Sequence, residues 1–133
     1  MTDSALHFEI GGFYARCECI ELFGDRVEYC RAQGAYMLES GQSIDLRTEA
    51  LAQFWQAMDE IGVWNWKESY DNPDVLDGVQ WSLKLEHCDR RLVCGGSNSY
   101  PQNELCVYSA GSEFGRFIEA VRGLTGLPSF CMT

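Results

Sequence analysis

The pair Gly24-Asp25 constrains this chain more than any other two residues. It separates two segments, Phe13–Phe23 and Arg26–Ala32, that read as strands. Glycine followed by another residue suits a two-residue type II′ turn, because glycine supplies the positive φ required at the first central position. Such a turn also fixes register. Leu22 then faces Val27, Ile20 faces Tyr29 and Glu18 faces Arg31. These are an apolar, an apolar–aromatic and an ionic cross-strand pair on one face. The opposite face sets Cys19 against Cys30 and Glu21 against Glu28. A short strand at Leu6–Ile10 is expected to precede this hairpin.

A second hairpin is expected from Val79–His87 and Arg91–Gly95, turning at Asp89-Arg90. Val79, Trp81, Leu83 and Leu85 alternate with Gln80, Ser82, Lys84 and Glu86, the period of a half-buried strand. Leu92 and Cys94 then share the apolar face. Between the hairpins, Leu51, Phe54, Trp55, Met58 and Ile61 recur at helical spacing, with Thr48 or Asp45 as cap and Gly62 past the end. A second helix follows Gly111-Ser112. Phe114, Phe117, Ile118, Val121 and Leu124 form its stripe, and Gly126 ends it. Leu105–Ser109 is expected as a further strand, and Ala35–Ser43, Tyr70–Asp77 and Gly95–Asn103 as loops. The order ββ(β)-α-ββ(β)-α predicts an α+β fold of two layers. An antiparallel sheet of two hairpin units carries both helices on one face.

At 133 residues, the chain has the length of a single domain spanning residues 1–133, large enough to bury a core without metal or disulfide staples. No apolar run is long enough to span a bilayer. The segment M-T-D-S-A-L-H-F-E-I lacks the basic and apolar regions of a secretory leader, so a cytoplasmic location is expected. The net charge is −10, from 20 acids and 10 bases. That balance argues against nucleic acid, whose phosphates call for Lys and Arg, and against anionic membranes. It permits a basic protein partner, drawn in by long-range attraction, although solubility alone also accounts for it.

Seven cysteines is an odd, high count. In a reducing compartment they are expected as buried thiols rather than disulfides. A zinc knuckle needs C-x₂₋₄-C pairs; Cys17-x-Cys19 is too tight, and no second pair matches it. Neither a metal nor another cofactor is expected. No cysteine stands at a strand-to-helix elbow or obvious helix N-terminus, where a thiolate nucleophile is favoured. Asn72-Pro73-Asp74 breaks the alternation of a calcium loop, and Gly95-Gly96-Ser97-Asn98 does not lead into a helix as a phosphate loop must. No catalytic residues are expected.

The segment Ile61–Tyr100 holds Trp64, Trp66 and Trp81, together with Tyr70 and Tyr100. From Ala57 to Gln80 there are six acids and one base. A helix ending in G-V-W-N-W, then Tyr70, Asp77-Gly78-x-x-Trp81 and Gly96-Ser97-Asn98-Ser99-Tyr100-Pro101, is similar to a pattern in small bacterial proteins of unknown function. The resemblance covers about the last two-thirds of the chain and implies an α+β domain without an assigned activity.

The candidate binding residues are Trp64, Trp66, Tyr70, Asp71, Asp74, Asp77, Asn98 and Tyr100. Tyrosine and tryptophan are favoured as anchors because they bury large area at small entropic cost. The leading expectation is a non-enzymatic interaction domain of the bacterial immunity or inhibitor kind, binding a basic partner. The alternative is a small-molecule binding domain or weak enzyme with a pocket under Trp66, Trp81, Asn98 and Tyr100. A homodimer through the aromatic patch or an edge strand at Leu6–Ile10 is the third.

Overall fold

The computed structural model describes residues 4–12, 16–33, 37–71, 79–97, 100–101, 111–128 and 130. In chain order the elements are β1 (Leu6–Gly12), β2 (Arg16–Phe23), β3 (Arg26–Gln33), β4 (Met37–Asp45), α1 (Thr48–Ile61), β5 (Ser69–Asp71), β6 (Val79–His87), β7 (Arg90–Ser97) and α2 (Glu113–Thr125). They build an α+β fold on one sheet, whose seven strands among the described residues run in the order β4-β3-β2-β1-β6-β7-β5.

The first hairpin forms as its turn demands. Gly24 takes φ +62°. Leu22 pairs with Val27, Ile20 with Tyr29, Cys19 with Cys30 and Glu18 with Arg31. The Tyr29 hydroxyl donates to Glu18 Oε2 at 2.7 Å, which gives that buried acid a partner on the core side. The second hairpin turns one residue earlier than expected. Cys88 and Asp89 are its central pair, at φ 49° and 66°, and His87 faces Arg90. Positive φ at both positions is the geometry of a type I′ turn, whose twist matches that of the strands. The apolar face is unchanged by this shift. Leu83 faces Cys94 and Leu85 faces Leu92.

Three other elements depart from expectation. β1 is not an edge: it lies between β2 and β6, with Phe8 opposite Ile20 on one side and Leu83 on the other. Its backbone groups are therefore engaged along both flanks, and among the described residues β4 and β5 are the outer strands. β4 occupies much of the stretch read as a loop. It pairs with β3 through a bulge at Arg31/Ala32, and Gly41, Gln42 and Ser43 are exposed. An outer strand with one neighbour does not need the apolar alternation that marks inner strands. β5 is three residues long and runs parallel to β7, with Ser69 opposite Gly95, so the sheet is mixed. The strand expected at Leu105–Ser109 lies outside the described residues.

Both helices end on glycines in the left-handed region, Gly62 and Gly126, as their stripes implied. Ser112 caps α2 by accepting from the Gly115 N–H at 3.1 Å. α1 differs, because Arg47 is its N-cap residue and no side chain caps it. Phe54, Met58 and Ile61 of α1 join Phe114, Phe117, Ile118 and Val121 of α2 in one buried cluster. The sheet residues Leu6, Phe8, Ile20, Leu22, Val27, Leu83 and Leu85 belong to the same cluster. Each such side chain contributes about 1.5–3 kcal/mol by leaving water. Phe8 stands at the centre, fully buried, with its ring 5.1 Å from Phe117 and 6.1 Å from Phe114. The helices thus cover one face of the sheet, and among the described residues no element packs on the other.

Candidate functional site

The aromatic segment divides into an interior and a surface part. After α1 the chain makes a 3-10 turn, Val63–Asn65. That turn breaks strand parity, so Trp64 and Trp66 do not share a side. Trp66 is buried, 7% exposed, and its Nε1 donates to Glu113 Oε1 at 2.8 Å. Trp81 and Tyr100 are buried as well. Phe114 sits 4.9 Å from Trp81 and 4.7 Å from Tyr100, and Trp66 meets Trp81 edge-on at 6.2 Å. These rings fill space against one another. Tyr70 is half-buried at the sheet edge, where its oxygen accepts from the Lys67 backbone N–H at 3.0 Å. Burial raises its pKa.

Trp64 lies toward solvent. Its Nε1 donates to Asp59 Oδ1 at 3.0 Å, and the Arg90 guanidinium lies over its ring at 4.6 Å. Arg90 also reaches the same Asp59 oxygen at 2.6 Å. The Trp64 hydrogen bond, then Arg90, holds the Asp59 carboxyl below its ordinary 3.8. The backbone of Asp71 pairs with Ser97 in β5. The Asp71 side chain, and Asp74, Asp77 and Asn98 entirely, lie outside the described residues. Of the eight expected binding residues, the structure therefore brings Trp66, Tyr70 and Tyr100 together around Trp81 and sets Trp64 apart with Asp59 and Arg90.

A second constellation lies on the sheet face away from the helices. Alternate residues of a strand share a side, so β1 presents His7 and Glu9 there, while β2 presents Cys19 and Glu21. The β1–β2 register sets His7 opposite Glu21 and Glu9 opposite Cys19. His7 stands between two carboxylates, with Nε2 2.7 Å from Glu9 Oε1 and Nδ1 3.2 Å from Glu21 Oε2. Cys19 Sγ lies 3.9 Å from both His7 Nε2 and Glu9 Oε1. Partial burial opposes the charged imidazole, but the hydrogen bonds and charges of Glu9 and Glu21 outweigh it, and the His7 pKa is raised. Burial first, then the Cys30 and Glu9 charges, pushes the Cys19 thiol up to about 12. A thiol so held is a poor nucleophile, since only the thiolate attacks. Beside it is a shallow depression of about 340 Å³, lined by Cys19, Glu21, Glu28, Cys30, Gly41 and Ser43.

The sequence sets Cys19 against Cys30 but does not by itself bring His7 or Glu9 to that pair. The alternation of Leu6, Phe8 and Ile10 was enough to put His7 and Glu9 on the outer face. No turn signature between β1 and β2 tied their register to Cys19. No protein-family model matches this chain, and no curated protein is significantly similar to it. Among the described residues, no helix is long and apolar enough to cross a membrane.

Proposed function

We propose that the protein is a non-enzymatic binding domain that engages a basic protein partner, in the manner of a bacterial immunity or inhibitor protein. The observation that carries this reading is the sheet face that no described element covers. Both helices pack on the opposite side, and this side presents Glu9, Glu21 and Glu28 on three adjacent strands, alongside His7, Lys84 and the Arg26 that pairs with Glu28. The chain as a whole carries −10. A chain of that sign accelerates encounter with a cationic partner and disfavours anionic ones. Burial removes Trp66 and Tyr100 as contact anchors, while Asp71, Asp74 and Asp77 add to the attracting charge.

The experiment is retention of bacterial lysate proteins on the immobilised full chain at low and high salt. The reading expects a basic protein held at low salt and released at high salt. It also expects weaker retention by Glu21→Lys/Glu28→Lys. Absence of a basic partner at low salt, or retention indifferent to both salt and charge reversal, overturns the reading.

A further inference from the structure

The cluster on the face away from the helices has a composition that charge alone does not explain. An imidazolium bridging Glu9 and Glu21 accounts for the two nitrogen contacts of His7. It does not account for a thiol 3.9 Å from both His7 Nε2 and Glu9 Oε1. One nitrogen, one sulfur and one carboxylate oxygen, all within 4.8 Å of one another, converge on a common point.

We infer that His7 Nε2, Cys19 Sγ and a Glu9 carboxylate oxygen form a binding site for one divalent cation of the zinc class, with a fourth position open to water. Ligands bound to zinc at their usual lengths stand about 3.3–3.6 Å apart in a tetrahedron. The present separations of 2.7, 3.9 and 3.9 Å bracket that range. A small opening of the His7–Glu9 contact and a small approach of Cys19 accommodate the ion. Both shifts fall within the reach of side-chain torsions, because Glu9 is 57% exposed.

The surroundings are those of a metal-bound histidine. Such a residue commonly gives its other ring N–H to a carboxylate, which orients the ring and raises its donor strength. Glu21 occupies that position, 3.2 Å from Nδ1. The donors stand on β1 and β2 in the interior of the sheet, each paired on both sides, so their backbone positions are fixed before any ion arrives. Mixed sulfur, nitrogen and oxygen donors suit zinc, whereas calcium and magnesium require oxygen sets. Binding releases the Nε2 and thiol protons to solvent. The neutral imidazole, thiolate and carboxylate then balance the dication.

The test uses the full chain, reduced with a phosphine. Calorimetric titration with Zn²⁺ should give one equivalent. Co²⁺ in its place should show thiolate-to-cobalt charge-transfer absorption. Cys19→Ser should abolish that absorption and Cys88→Ser, at the exposed turn, should leave it intact. Glu21→Gln should weaken Zn²⁺ binding about 10- to 100-fold, as expected for loss of the partner that orients the ring. Circular dichroism monitors folding of each variant. If Cys19→Ser does not fold, His7→Gln decides in its place, since it too should remove the band. Absence of the thiolate band in the wild-type chain overturns the inference. A band that persists in the folded Cys19→Ser or His7→Gln chain, or is lost in Cys88→Ser, does so as well.

Discussion

Trp64 and Trp66 show how little a two-residue spacing settles on its own. Both flank Asn65, yet one indole is sealed against Glu113 and the other faces Asp59 and Arg90. The consequences differ in size. Trp66→Phe leaves a smaller aromatic ring and removes the hydrogen bond to Glu113, so it should cost at least about 1.5–3 kcal/mol, read as a shift in urea midpoint at constant slope. Phe8→Ala should cost about 3–5 kcal/mol, because the cavity forms where rings from both layers meet. The surface trio predicts a pH effect of definite sign. Since the folded state lowers the Asp59 pKa, its favourable contribution is present above 3.8 and fades as pH drops through the depressed value. The Trp64 indole N–H resonance should titrate with a midpoint below 3.8, and Asp59→Asn should abolish that titration. A midpoint at the ordinary carboxylate value contradicts the hydrogen-bonded geometry.

At the scale of elements, turns and edges separate what was legible from what was not. The first hairpin was readable to the residue because Gly24 dictates its turn, and with it every pair down to Glu18 and Arg31. The second was readable in its faces but not its turn. Cys88 gives no sign of taking a left-handed conformation, and only the structure shows it doing so. Each non-glycine residue in that region costs about 1–2 kcal/mol. Cys88→Asn with Asp89→Gly should therefore raise stability by about 1 kcal/mol, measured by thermal or chemical unfolding. β4 and β5 look like loops in the sequence for a physical reason. Polar E-S-G-Q-S and a three-residue strand carry no period for burial to impose. Gly95 of β7 lies tight against β6, and a methyl group there would meet the Trp81 carbonyl oxygen at 2.8 Å. Gly95→Ala should destabilise by about 1–3 kcal/mol and loosen the β5 edge, seen as faster amide exchange at Ser69–Asp71.

For the whole molecule, the layer arrangement followed from sequence because each helix stripe and each strand alternation names the side that must be covered. The candidate site did not follow, since His7 and Glu9 reach Cys19 only through a pairing between strands that no short turn announces. Retention of a basic partner should fall steeply as salt rises, because screening shortens the reach of surface charge to about 8 Å at physiological ionic strength. Salt titration of the captured complex measures this. The placement of β1 has a kinetic side. It leaves the ribosome shortly before β2, yet its other flank waits for β6, made only after the first hairpin, β4 and α1. During synthesis the growing chain carries a half-satisfied strand, and the sheet joins into one piece late, when the second hairpin arrives to zip along it.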